Sequence, residues 1–562
     1  MAEDGVDDRH DDPPGGADAN RPMIGLGRGP CDEGVVRAAA EGPGCAAYAK
    51  PWVLTATILG SSMAFIDTSV VTVALPAIQA DLAASLEGAQ WVANAYMLML
   101  GALVLLGGAA GDRLGRRRVF ALGIALFAAA SVACGVAPGA LSLVAARAVQ
   151  GVGGALLVPS SLAIISAAFP AEERGRAIGT WAGFSALTTA LGPVLGGWLV
   201  DALSWRAIFF INVPIALATL SITFRHVPES RDETAEGSLD GRAGVLALLG
   251  LSALAYGLTA VSDFGWRAPS VLGALVAGAL ALALFVRAEA RVAAPMMPLG
   301  LFRSRSFSGA NAATFLLYFA LGGAFFFLPF NLIQIQGYSA AAAGAAFLPF
   351  TLIMGALSRW SGGLIVRYGA RTPLIVGPVV AATGFALFAL PGIGNSYWAN
   401  FLPGMTVLGL GMAVSVAPLT TTVMSAVEER YAGAASGINN AVSRIAGMLA
   451  VALLGAVATG IFGAALDARL AALQTPPDIQ RALTAEVPKL AEATVPAHIA
   501  GEMRQDLERA LQDSFVLSFR AIMLIAAGLS LASALCAGLT IGPSPGKAGA
   551  GRRPGQVANL GA

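Results

Sequence analysis

Charge is scarce in this chain: 12% of its 562 residues are Asp, Glu, Lys or Arg. A water-soluble fold of that length needs far more polar surface to cover its domains, so a soluble protein is excluded. Histidine is scarcer still. His10, His226 and His498 are the full set, none falls within a predicted apolar span, and a histidine proton relay is thereby ruled out. The four cysteines do not form a disulfide framework, since Cys31 and Cys45 lie in a polar N-terminal stretch and Cys134 and Cys536 in separate apolar spans. A net charge of +1 leaves no basic field for nucleic acid. No P-loop-type segment occurs, which excludes ATP as the energy source.

What is abundant is apolar: 56% hydrophobic residues, with 68 Gly and 30 Pro, both better tolerated in membrane helices than in soluble ones. The class is all-α integral membrane. Segments of about 20 apolar residues cross a bilayer, and fourteen are expected between residues 52 and 541. Residues 1–50 open on Met1-Ala2-Glu3-Asp4. They lack the basic start and apolar core of a signal peptide and read as a disordered tail.

Arginine placement gives the orientation. Arg113, Arg116, Arg117 and Arg118 follow the second span, Arg174 and Arg176 the fourth, Arg367 and Arg371 the tenth, whereas Gln79–Gly88 has no Lys or Arg. Both termini are expected in the cytoplasm of a multi-pass cell-membrane protein. The long polar segment 464–515 carries five basic residues and more acids; it is placed outside, partly helical.

Two stretches recur about 255 residues apart. Gly108 to Arg117 (GAAGDRLGRR) is echoed by Gly362 to Arg371 (GGLIVRYGAR), and Ala171-Glu172-Glu173-Arg174 by Val427-Glu428-Glu429-Arg430. Such a repeat implies two parallel six-helix bundles. The expected division is a 1–50 tail, a bundle over 51–226, and a 227–308 insert with two helices at about 243–262 and 268–287. A second bundle over 309–541, holding the loop 464–515, and a 542–562 cytoplasmic tail complete it.

Asp67 is the only carboxylate deep in an apolar stretch. A carboxylate in hydrocarbon is costly and is kept mainly where it faces a cavity and has work to do. Asp67 lies nine residues from Pro76, ~13 Å deep, and Arg147 seven residues into its own span, ~10 Å deep from the same side. An Arg neighbour favours the ionised acid and desolvation the protonated one, so moving Asp67 between those settings would bind and release a proton. A fixed structural ion pair is the alternative. Phe315, Phe319, Phe326 and Phe330 share one side of a span, as a lining for a lipophilic compound or as lipid-facing bulk. Arg444 and Arg359 are open between meeting a substrate anion and bonding to backbone or snorkelling.

Several motifs together resemble the major facilitator superfamily. Gly108-Ala109-Ala110-Gly111-Asp112-Arg113-Leu114-Gly115-Arg116-Arg117-Arg118 is similar to its loop between helices 2 and 3, and Arg147-Ala148-Val149-Gln150-Gly151-Val152-Gly153-Gly154 to its helix-4 motif. Gly192-Pro193-Val194-Leu195-Gly196-Gly197 resembles its antiporter motif, with Thr188 where a Gly is usual. Asp67 to Pro76, Trp91 to Tyr96 and Trp205 to Ile215 resemble fourteen-span drug–proton antiporters of the EmrB/QacA type. The resemblance implies proton coupling at Asp67 and Arg147, and tentative substrate contacts at Gln150, Asn94, Phe315, Phe319 and Phe326. It also implies conformational roles for Gly108, Asp112, Arg113, Gly115, Arg116, Gly192, Pro193, Gly196 and Gly197.

The function expected is proton-driven export of a neutral or singly cationic lipophilic compound by alternating access, performed by a monomer. A proton-coupled uptake symporter and a membrane-embedded enzyme are the alternatives. No catalytic constellation, metal site or cofactor is expected.

Overall fold

The computed structural model describes residues 49–231, 241–292, 295, 297–394, 396–428 and 432–542. Apart from Ala49, Lys50 and Gly542, the two expected tails lie outside the described residues. The helices are α1 (Lys50–Asp81), α2 (Leu86–Leu114), α3 (Arg116–Gly135), α4 (Ala140–Ala168) and α5 (Ala171–Ala202). They continue with α6 (Ala207–His226), α7 (Gly241–Thr259), α8 (Pro269–Glu289) and α9 (Arg305–Phe330). Next come α10 (Ala340–Ala345, resuming at Leu348–Gly362), α11 (Arg371–Phe388), α12 (Leu402–Ser425), α13 (Ala432–Ala472) and α14 (Glu502–Thr540). The described residues contain no strand. Twelve helices are long and apolar enough to cross a membrane, or thirteen if the bent α2 counts as one span, against the fourteen expected.

Local chemistry sets the helix starts. Ser85, Ser304 and Ser339 each accept a bond from the backbone N–H three residues on, opening α2, α9 and α10. Proline lies inside α1, α4, α5, α9, α11 and α12, as membrane helices tolerate. Just past Pro329, α9 loosens into a π-turn over Asn331–Ile335. That turn carries Gln334, whose amide donates to the Glu492 carboxylate.

Helices α1–α6 pack on one another, as do α9–α14. Helix α7 touches α8, α2 and α13, whereas α8 buries only 11% of its apolar window. The repeat is visible in the backbone: Gly115 and Gly369, eighth in their respective ten-residue stretches, both take left-handed φ values of 109° and 73°. A side chain is strained at either place. The second echo falls largely on residues of which no side chain is described.

Two boundaries differ from expectation. Helix α13 runs on to Ala472 and α14 begins at Glu502, because hydropathy stops at the membrane surface while backbone hydrogen bonding does not. The segment between holds a short helix, Pro477–Glu486, and a 3₁₀ turn, Val487–Glu492. His226 is also the last residue of α6 rather than beyond it, stacked at 5.1 Å on Trp52.

Burial holds the Glu492 carboxyl above its ordinary range, opposed by the Gln334 bond. A carboxyl raised in the packed state favours packing while it is protonated, and that contribution fades as pH rises through the raised value. Proteolysis of the 473–501 segment is therefore expected to quicken as pH rises above the ordinary carboxylate range. Glu492→Gln should flatten the profile. An equally steep profile in that variant would remove Glu492 as the cause.

Candidate functional site

Asp67 and Arg147 meet. Helix α1 presents the carboxylate and α4 the guanidinium, both 1% exposed, and Arg147 Nη1 donates to Asp67 Oδ2. The depths read from the sequence agree with this contact. Gln150, one turn along α4, closes the group: its Nε2 donates to Asp67 Oδ1 at 2.7 Å and its Oε1 accepts from Arg147 Nη1 at 2.7 Å. Both carboxylate oxygens are thus engaged, and a buried charge persists only when paired and hydrogen-bonded in this way.

A surrounding layer fixes the geometry. Arg147 Nε donates to the Val92 carbonyl at 3.1 Å, and its guanidinium stands 4.5 Å from the Tyr96 ring centre and 5.8 Å from that of Phe209. Gln150 Nε2 also reaches Ser131 Oγ at 2.9 Å, which Asn212 Nδ2 contacts at 3.3 Å. Cys134 Sγ lies 3.7 Å from Gln150 Oε1. Helices α1, α2, α3, α4 and α6 therefore converge on one carboxylate.

Of these partners, Tyr96 and Asn212 sit in motifs the sequence exposes, although no role follows from the motifs alone. Ser131 and Cys134 carry no signal, since single small polar residues in apolar helices are common and usually bond to their own backbone. Asn94 is fully buried, and neither side-chain amide atom has a hydrogen-bond partner.

The Gly-Pro motif on α5 lies between two surfaces. Gly192 and Gly196 face Ser69 and Val70 of α1, while Gly197 and Pro193 face α10. A Cβ at Gly197 would sit 2.2 Å from the Ala340 carbonyl oxygen, and one at Gly344 only 1.9 Å from that of Pro193. Backbone-to-backbone approach requires glycine at both. Beside them, Asp201 accepts from the N–H groups of Ala340 (3.2 Å) and Ala341 (2.7 Å).

Gln79 Nε2 to the Lys489 carbonyl (3.4 Å) and Gln90 Nε2 to the Val451 carbonyl (3.2 Å) add further links. These links between α1–α6 and the chain from α9 onward lie at the face that arginine placement assigns to the outside. At the rim of that face Asp81 accepts from Trp205 Nε1 at 2.9 Å and Arg206 Nη1 at 2.8 Å, which accounts for the Trp-Arg pair of the third EmrB/QacA-like motif.

At the opposite face, Asp112 Oδ1 accepts from Arg116 Nε (2.9 Å) and Nη2 (2.8 Å). The loop is fastened by Glu229, whose Oε1 accepts from the Arg117 N–H at 3.1 Å and whose Oε2 lies 3.5 Å from Arg118 Nε. Sequence reading missed Glu229. A Cβ at Gly108 would make only ordinary contact with Pro159, and Arg113 Nη1 is buried without a hydrogen-bond partner among the described residues.

The phenylalanines of α9 are placed differently from a lining. Phe319, Phe326 and Phe330 are buried in the main apolar core, Phe315 only partly. Phe315–Phe319 and Phe326–Phe330 pair at 5.8 and 5.5 Å between ring centres. The side chain of Arg359 lies outside the described set. Among the described residues no group of three His, Cys, Asp or Glu could hold a metal ion.

The profile of the Major Facilitator Superfamily matches residues 57–451. The chain belongs to the major facilitator superfamily. Relatives include the "Multidrug resistance protein Stp" of Mycobacterium tuberculosis, 35% identical over 480 residues, covering 84% of this chain and 88% of that protein. The "Tetracenomycin C resistance and export protein" of Streptomyces glaucescens is 34% identical, covering 88% and 93%. Among solved structures, a bacterial homologue of the lysosomal transporter Spinster superposes with a TM-score of 0.62 at 18% identity, covering 87% of this chain and 98% of that one. This last likeness concerns the superfamily fold alone.

Proposed function

We propose that this superfamily member is a proton-coupled exporter of lipophilic small molecules that works by alternating access. The observation that carries the reading is the enclosed Asp67–Arg147–Gln150 group, a single carboxylate with both oxygens held, beside an α5 motif that packs against both halves. The relatives' names, resistance and export proteins, support export over uptake and a transporter over an enzyme. In this reading the paired carboxylate is the proton-free state. Arg147 withdraws when the halves tilt, leaving a desolvated acid that takes up a proton from outside and later releases it inside.

We place the protein in the fourteen-span EmrB/QacA type, in the cell membrane with both termini cytoplasmic. Helix α5, 32 residues long, serves as the remaining span, with an uncharged apolar run over residues 183–200. The packing of α1–α6 on one another and of α9–α14 on one another supports two six-helix bundles with α7 and α8 inserted, and no cofactor takes part. A neutral lipophilic body fits better than a cation, because the mid-span acid is already occupied by Arg147.

The test is uphill efflux from proteoliposomes under an imposed pH gradient, with ethidium as cationic and puromycin as aromatic probe. Accumulation that collapses on adding a proton ionophore is expected. Transport indifferent to the gradient would defeat the coupling.

A further inference from the structure

Arg444 is a second cation deep in the membrane, on α13, and the Asp67 group does not use it. Seven residues into the apolar window that starts at Gly437, it lies ~10 Å along the helix. A guanidinium at such depth is costly and is ordinarily paired or bonded to backbone carbonyls. Here neither holds. Among the described residues it has no ion-pair partner and no hydrogen bond, and its Nε is buried without an acceptor. The Nη atoms are not enclosed, and the residue is partly exposed.

Its position is where the two halves cross. A Cβ at Gly101 of α2 would touch Arg444 Cβ at 3.5 Å, and α9 meets α13 backbone to backbone at Gly322 and Gly447. The phenols of Tyr96 on α2 and Tyr318 on α9 lie within electrostatic range of it. Tyr96 also stands 4.5 Å from the Arg147 guanidinium, so it lies between the two cation sites. Phe315 lies one turn from Tyr318 on the same side of α9, and both are partly buried. An unsatisfied guanidinium beside aromatic rings is suited to one chemistry: an anionic or strongly accepting oxygen group on an apolar aromatic body.

We infer that Arg444 is the polar anchor of the substrate site and selects lipophilic acids, such as aromatic carboxylates, enolates or phenolates. The inference rests on the export reading for its purpose, but not for its geometry. It also revises the expectation of a neutral or singly cationic substrate, which was drawn from acids and left this cation open.

A matched probe set decides it: 2-naphthoate, 2-naphthamide and 2-naphthylmethylammonium, measured by equilibrium dialysis on the full chain in nanodiscs. The wild type should bind the carboxylate about tenfold more tightly than the other two, the scale of one charge-assisted hydrogen bond. Arg444→Gln should bring the carboxylate down to the amide's level while leaving amide binding unchanged, and Arg444→Lys should restore part of the preference. If Arg444→Gln does not fold, Arg444→Lys alone must weaken the carboxylate and spare the amide.

No preference for the carboxylate in the wild type overturns the inference, as does a preference that survives Arg444→Gln. Loss of all three probes alike in a folded variant also overturns it and marks Arg444 as structural. Uphill transport of the amide by the wild type reports on the export reading separately, so the two can fail independently.

Discussion

Asp67→Asn should abolish gradient-driven export while leaving downhill exchange of the same compound. The substitution is nearly isosteric, and its amide oxygen can still accept from Gln150 or Arg147, but it can neither lose nor gain a proton. Arg147 keeps the Val92 carbonyl, Gln150 Oε1 and the Tyr96 ring, so the fold should survive. Removing one partner of a buried pair costs about 3–5 kcal/mol where nothing replaces it. Those remaining contacts place the loss below that range, and a lowered but cooperative melting transition is expected. Uphill efflux should fall at least about a hundredfold, the scale on which loss of a required proton carrier is read. The measurement is paired uphill and downhill flux in the same proteoliposomes. Uphill efflux at the wild-type rate would release Asp67 from coupling, and loss of both fluxes would make the pair structural.

Gly197→Val should hold the outer face open. The added carbon lands 2.2 Å from a backbone oxygen of α10, and no side chain can turn away to relieve it. Asp201→Ala removes two hydrogen bonds from the same junction, but Asp201 is exposed and the loss is about 1 kcal/mol, a factor of about five in the balance between open and closed. The steric effect therefore dominates. Spin labels at Leu203 and Trp398, both strongly exposed, should separate in Gly197→Val and shift only partly in Asp201→Ala, with transport reduced at least about tenfold in the former. Unchanged distances together with full transport would take this junction out of the cycle.

The Asp67–Arg147 pair was legible because charge in an apolar chain is rare and helix rise converts residue number into depth. Two such charges at matching depth left little choice of partner. Gln150 was seen as a neighbour of the substrate, whereas it completes the carboxylate's bonding, since a motif gives adjacency along a helix but not across helices. Ser131 had no signal at all. For the α9 phenylalanines, periodicity finds a face without saying whether lipid, core or cavity lies against it, and the core claims three of them. Asp201 carries no signal in the sequence, and only folding brings the start of α10 to it.

Helix α8 has one substantial neighbour, only 11% of its apolar window is buried inside the protein, and its outer side faces acyl chains. Fluid lipid adapts to the shape of a side chain as a packed interior cannot. Exchanging Leu272, Val276, Leu280 or Leu284 for other oily residues should therefore cost little, whereas the same exchanges along α9, 67% buried, would each leave a void or a clash.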